Sequence, residues 1–212
     1  MNTTNTSAAL TAEQVMRARN SVRKYKKDVV VPEADLNEIL ELAAAAPSSW
    51  NLQQWRFLVV QEQAQKDLIL PIAYGQQQVS DASAVIIVLG DLQANITGRE
   101  IFEGAVAAGH MPKEVADSMI AQIDGAYSFE QVARDEANKN AAFAAMQLML
   151  AAKAKGYDTV PMGGFDKEKL VQALNIPSRY IPVVMIALGE AAAPAHASAR
   201  LPLSKLVINE SF

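Results

Sequence analysis

The 212-residue chain contains no cysteine. Disulfide cross-links, thiolate nucleophiles and cysteine metal sites are thereby excluded. Histidine is nearly as scarce. His110 and His196 are the only two, and their separation has no metal-ligand spacing. No G-x-S-x-G elbow occurs, so the signature of a serine hydrolase is missing. Neither a P-loop nor G-x-G-x-x-G is present, so any nicotinamide cofactor is held by something other than a Rossmann fingerprint. Long hydrophobic runs are absent too. The most apolar helical stretch, Ala141–Ala152, is interrupted by Gln147 and is shorter than the roughly 20 residues a spanning helix needs. The opening MNTTNTSAAL lacks a basic segment followed by an apolar one. No signal peptide is expected, and the protein is read as soluble and cytoplasmic.

What is present is a hydrophobic half and a mild charge of −4. The first supports a sizeable core; the second points to neither nucleic acid nor a membrane as partner. No repeat or linker interrupts the chain, and residues 1–212 are read as a single domain. Thr11-Ala12-Glu13-Gln14 has the form of a capping box, predicting a helix to about Arg19. Pro32 predicts the start of a second helix, with Leu36, Ile39, Leu40 and Ala43 on one face and Pro47 as its stop. Strands are expected at Trp55–Val60, Ala84–Leu89, Tyr157–Met162 and Ile181–Leu188. Ile96–Tyr127 reads as helical but broken by Gly104, Gly109, Pro112 and Gly125. Ser128-Phe129-Glu130-Gln131 reads as a second capping box, opening a long helix to Lys155 that Gly156 ends. That helix is apolar nearly all round in its second half, which requires burial on most sides. Strands separated by helices make a mixed α/β layer fold. Leu203–Phe212 is an apolar tail with no local partner.

Three segments carry chemical signals. Between Arg17 and Lys27 lie Arg17, Arg19, Arg23, Lys24, Lys26 and Lys27, which leaves 13 basic residues against 23 acidic ones elsewhere. Such a stretch is either a solvated basic loop or an anion site. Arginine forks and the Ser21 hydroxyl match phosphate oxygens. The segment Pro47-Ser48-Ser49-Trp50-Asn51, ahead of a strand, is either an ordinary turn or a loop presenting hydroxyls and an amide. Pro161-Met162-Gly163-Gly164 ends a strand. It is either a plain turn before a helix capped by Asp166 or a place where the backbone approaches a flat ligand.

In order and spacing these segments resemble the FMN-dependent nitroreductase family. The resemblance rests on R-x-S-x-R at Arg19–Arg23, P-S-S-x-N-x-Q-x-W-x-F at Pro47–Phe57, P-M-x-G-F-D at Pro161–Asp166 and R-L-P-L at Arg200–Leu203. It implies an α+β, three-layer fold with a central, mostly antiparallel sheet flanked by helices. It also implies an intertwined homodimer with FMN at the subunit interface and a tail, about 200–212, reaching the partner. By position, Arg19, Ser21 and Arg200 fall around the phosphate and ribityl chain and Arg23 at the pyrimidine end of the flavin, with Asn20 counted among the cofactor-binding residues. Pro47, Ser48, Ser49 and Asn51 fall in the loop supplied by the partner. Pro161, Met162, Gly163 and Gly164 fall along the flavin face. Gly75 stands where many relatives carry a flavin-contacting asparagine, with Gln76 or Gln78 as the substitute. Gln54 replaces a usual proline, Gly163 an acidic residue of some members, and Ser198 a lysine of others.

The activity so implied is hydride transfer from NAD(P)H through flavin N5 to nitroaromatic, quinone or similar acceptors, by a ping-pong mechanism with no side chain as catalytic acid or base. No metal is expected. Phe102, Tyr127 and Phe129 are candidate pocket walls. Two other readings stand beside it. One is a non-catalytic flavin-binding sensor or carrier. The other is a specialised flavoenzyme of the same fold, such as a reductive dehalogenase or a flavin-destroying enzyme.

Overall fold

The computed structural model describes residues 10–212, so the expectation about a leader at Met1–Ala9 lies outside the described residues. Helix α1 (Ala12–Ala18) starts as the capping box requires. Thr11 Oγ1 accepts from the Gln14 N–H, and Gln14 Oε1 accepts from the Thr11 N–H. Helix α2 (Glu33–Ala44) follows Pro32 and buries Leu36, Ile39 and Ala43. A short 3-10 turn at Ser49–Asn51 leads into β1 (Trp55–Val60). Helices α3 (Gln63–Ile69) and α4 (Gln78–Asp81) precede β2 (Ala84–Asp91). Helices α5 (Ala94–Ala107), α6 (Lys113–Tyr127) and α7 (Glu130–Ala154) follow, then β3 (Asp158–Met162), α8 (Lys167–Ala173) and β4 (Tyr180–Gly189).

The four strands form one sheet in the order β1-β2-β4-β3, with every pair antiparallel. Strand β2 is buried at all eight positions, so both faces of the sheet are covered. Because successive side chains point to opposite faces, β2 and β4 feed two cores. Ile86, Val88, Ile186 and Leu188 meet α2 and the Ala141, Ala144, Ala145 and Leu148 stripe of α7. Val85, Ile87, Met185 and Ala187 meet Ile69, Val79, Phe165 and Leu170 on the other side. The result is the expected α+β, three-layer arrangement.

Two expectations need correction. The Ile96–Tyr127 span is two regular helices broken once, between Gly109 (φ +73°) and Pro112. Gly104 and Gly125 ride inside them, where an added Cβ would meet open space. Ser128 does not cap α7. It closes α6, donating from Oγ to the Gly125 carbonyl at 2.7 Å, and α7 begins after Phe129 without a side-chain cap. The two helices follow so closely that one serine cannot serve both ends. Helix α7 is also less enclosed within one chain than its composition demands. Phe143 and Met146 stay 46% and 42% exposed, and Leu42 and Met16 are exposed too. Leu201, Leu203, Leu206, Val207, Ile208 and Phe212 of the tail are exposed as well.

Candidate flavin site

The basic stretch is tied to the edge strand β3. Ser21 forms a parallel bridge with Thr159, and the Val22 N–H donates to the Thr159 carbonyl at 3.1 Å. Further along, Lys26 N–H donates to the Glu190 carbonyl and Ala192 N–H to the Lys24 carbonyl. Val22 and Tyr25 are the buried pegs. The Tyr25 hydroxyl donates to the Ala187 carbonyl at 3.1 Å. Burial, reinforced by the Asp158 carboxylate and opposed by Arg23, pushes its phenol up, so it is a neutral anchor.

Pairing divides the six cations. Arg17 pairs with Glu13, Lys26 with Glu190 and Lys27 with Asp81. Among the described residues, no carboxylate lies within salt-bridge distance of Arg19, Arg23 or Lys24. Two unopposed guanidiniums flanking a half-buried serine supply the donor types that could hold a phosphate or another anion. Asn20 is exposed, its Nδ2 donating to the Ala18 carbonyl at 3.1 Å.

Strand β3 then delivers Pro161, Met162, Gly163 and Gly164. Met162 is buried, while Pro161 and both glycines are exposed. A Cβ on Gly163 would meet nothing within 4 Å, and one on Gly164 only Gln76 Nε2 at 4.0 Å. The Gly164 N–H has no partner among the described residues. This is an open backbone shelf able to receive a planar ring. Gln76 borders it, donating from Nε2 to the Gly164 carbonyl at 2.8 Å and to the Ala73 carbonyl at 3.0 Å. Gln78 Nε2 contacts Met162 Sδ and Gln76 Oε1, both at 3.3 Å. The arrangement fits FMN: unopposed cations for its phosphate and an unobstructed shelf for its ring.

The other predicted residues lie elsewhere. Pro47, Ser48, Ser49 and Asn51 sit before β1, at the opposite sheet edge but at the same end as the shelf, since Trp55 pairs with Gly90 and Gly90 with Ile181. Three strand spacings separate the two edges, about 14 Å. Ser48 Oγ accepts from the Gln53 N–H at 3.0 Å. Arg200 is exposed and, among the described residues, donates only to Ser198 and Ala199. Phe102 is buried among Leu52, Ala116 and Ile123 between α5 and α6, which suits core packing and not a pocket wall. Phe129 is exposed. Tyr127 is half-buried, and burial pushes its phenol up to about 12. A cavity of about 350 Å³ lined by Lys27, Lys66, Ser80 and Asp81 lies at the far end of the sheet and contains none of these residues.

Asn140 was missed from the sequence. It is wholly buried on α7 and accepts the Ser49 N–H at Oδ1, 2.9 Å away. Its Nδ2 donates to Glu136. Burial pushes the Glu136 carboxyl up, but hydrogen bonds from Lys139, Ser49 and Asn140 outweigh this and hold it below the usual glutamate range. The available signal was an amide opening an otherwise apolar run.

Comparison with known proteins agrees across the chain. The model of the Nitroreductase family matches residues 16–190. YodC of Bacillus subtilis, named provisionally as an NAD(P)H nitroreductase, is 48% identical over 192 residues, covering 91% of this chain and 95% of its own. The CLA biosynthesis enone reductase of Lactiplantibacillus plantarum is 33% identical over 183 residues, covering 84% of each chain. A structure from Exiguobacterium sibiricum, named provisionally as a nitroreductase and solved in complex with FMN, superposes with a TM-score of 0.88. It shares 36% identity and covers 96% of this chain and 99% of that one.

Proposed function

This chain belongs to the nitroreductase family, and we propose that it works as a single-domain, cytoplasmic homodimer that holds FMN at the subunit interface. It is an FMN-dependent NAD(P)H oxidoreductase. The observation that carries the site is that unopposed Arg19 and Arg23 flank Ser21, which bridges to β3, while the open Gly163–Gly164 shelf follows the end of the same strand.

FMN, when bound, supplies the electron-transfer chemistry, accepting reducing equivalents from NAD(P)H and passing them to an acceptor. The chain does the rest. Arg19, Ser21 and Asn20 bind the phosphate and ribityl end. Arg23 places positive charge at the pyrimidine edge, where negative charge develops on reduction. Gly164 offers a backbone N–H, and Pro161, Met162 and Gly163 line the ring with Gln76 behind them. A second copy brings in what one chain leaves about 14 Å away: Pro47, Ser48, Ser49 and Asn51. The exposed Phe143 and Met146 face of α7 supplies apolar area for that contact. The tail, about 200–212, crosses to the partner, carrying Arg200 to the phosphate and closing the site against water. NAD(P)H and acceptor would occupy the open site by turns, which predicts ping-pong kinetics. Nitroaromatics and quinones are the acceptors, and the enone reductase relative adds activated C=C bonds.

Anaerobic titration tests this. Purified protein should be yellow, bleach with NADH or NADPH, and recolour when a quinone, nitroaromatic or enone is added. Flavin that binds but is bleached by neither nicotinamide would favour the sensor or carrier. Colourless protein that ignores added FMN would refute both.

A further inference from the structure

The loop that carries Ser48–Asn51 has a costly backbone. Trp50, Asn51 and Gln53 adopt left-handed φ, at 53°, 57° and 51°. Asparagine visits that region readily, but tryptophan and glutamine hold it when their surroundings enforce it. The loop's own bonds are local. Asn51 N–H donates to the Ser48 carbonyl at 3.0 Å, Leu52 N–H to the Ser49 carbonyl at 3.1 Å and Gln53 N–H to Ser48 Oγ at 3.0 Å. They close the turn without fixing where it points.

Two wholly buried amides do the fixing, both at Ser49. From α7, Asn140 Oδ1 accepts the Ser49 N–H at 2.9 Å, across 91 positions of sequence. From just ahead of β1, Gln54 Nε2 donates to the Ser49 carbonyl at 3.2 Å. Each arm is rooted. Asn140 Nδ2 donates to the Glu136 carbonyl at 2.7 Å and to Glu136 Oε2 at 2.9 Å. Those two acceptors dictate which end of the amide is oxygen, so it faces Ser49 as an acceptor. The Gln54 carbonyl accepts the Asp91 N–H at 3.1 Å, which ties that arm to the end of β2. A buried amide among the apolar residues Ala141, Ala144 and Leu148 is costly unless its bonds are made. Asparagine meets the requirement, accepting from Ser49 and donating to Glu136 at once. Leucine does neither, and aspartate would set a second carboxylate against Glu136. Asn140 also lies three positions before the exposed Phe143, less than one turn of the same helix.

We propose that Asn140, with Gln54 as its counterpart, is a positioning residue for the cofactor loop: the two amides clamp the Ser49 backbone and so aim Ser48, Ser49 and Asn51 at the flavin of the partner subunit. The proposal rests on the FMN reading above and deepens it. Through Asn140 the loop is fastened to α7, the helix whose exposed Phe143 and Met146 face supplies the subunit contact. The loop therefore reaches the partner already formed, and its aim is set by the same helix that sets the docking of the two chains. A pre-formed loop has little conformational freedom left to lose when the flavin arrives.

The test uses the full-length protein and two variants, Asn140→Leu and Gln54→Leu. The second is the safer for folding, because Gln54 Oε1 is buried without a partner and its removal leaves nothing behind. If Asn140→Leu does not fold, Gln54→Leu carries the test alone. Backbone amide exchange over residues 47–55 and over β2 is read by mass spectrometry on the protein as purified. The FMN dissociation constant is read by fluorescence titration after the flavin is dialysed out. The visible circular dichroism of the protein at saturating FMN reports how the ring is held. Asn140→Leu should speed exchange over 47–55 but not over β2, and raise the FMN Kd about tenfold. Gln54→Leu should do the same with a rise of about threefold. Both should change the flavin dichroism. Wild-type exchange over 47–55 in either folded variant overturns the clamp. Faster exchange there with an unchanged FMN Kd and an unchanged dichroism overturns the cofactor role. Faster exchange that extends through β2, with wild-type flavin dichroism, assigns the two amides to the fold alone and overturns it equally. Wild-type protein that takes up no FMN refutes the flavin reading and the cofactor role with it, while the exchange data still decide whether the clamp exists.

Discussion

Gln76 Nε2 donates to the Gly164 carbonyl oxygen at 2.8 Å, across 88 positions of sequence. The bond holds the glycine shelf against the segment leading into α4 and occupies the amide that stands near the family's usual asparagine. Gln76→Leu keeps the volume and removes the bond. It should weaken FMN binding by about 1 kcal/mol, close to the net value of one hydrogen bond, while the melting temperature barely moves. A fluorescence titration with unchanged FMN affinity would show that the shelf does not depend on it.

Among the described residues, Arg200 makes no hydrogen bond beyond those to Ser198 and Ala199 and no ion pair. Arg200→Ala should therefore leave the melting temperature of flavin-free protein unchanged. It should lower the flavin retained after dialysis if the tail carries Arg200 to the partner's phosphate as proposed. Full flavin occupancy in the variant would remove Arg200 from the site.

Phe143 on α7 is large, apolar and 46% exposed. Phe143→Glu places a charge in the proposed subunit contact, where an unpaired carboxylate is costly. Light scattering should show monomer in place of dimer, with flavin lost alongside. A variant that stays dimeric would place the contact elsewhere.

Gly90 packs against α7. A Cβ there would stand 2.8 Å from the Ala137 carbonyl oxygen and 3.0 Å from Ala137 Cβ. Helix backbone cannot step aside as a side chain can, so Gly90→Ala should destabilise the fold by about 1–3 kcal/mol. Urea denaturation measures it, and a change within error would mean that α7 shifts freely on the sheet.

Glu136 gives a pH signature. Its carboxyl titrates below the usual glutamate range in the folded protein. Its contribution is therefore full above the unfolded-state value and lost as pH falls through the lower folded value. Glu136→Gln should flatten that acid limb of the stability curve. Equal acid slopes in variant and wild type would count against the Glu136–Asn140–Ser49 network.

Much was legible from local pattern. The Thr11–Gln14 box, the stop at Pro47, the strand at Trp55–Val60 and the Asp166 cap depend on neighbours within a few residues, and each is found. Ser128 misled because its pattern is local while its use is not: α6 and α7 compete for it. Gln54 was visible as a replacement for proline, but its meaning was not. Its side chain is wholly buried and donates back to the Ser49 carbonyl at 3.2 Å, a contact that exists only once the turn has folded.

The sequence by itself determined the family and the cofactor class, and it named the segments proposed to carry the site, because these reside in residue types at short, ordered spacings. Only the tertiary structure decided which cations of the basic stretch are unopposed. Ion pairing with Glu190 and Asp81 depends on chain crossings that no local pattern encodes. It also decided that the serine loop and the glycine shelf stand at opposite edges of one sheet. Strand order is set by how β2 and β4 bury both faces at once, a property of the whole core.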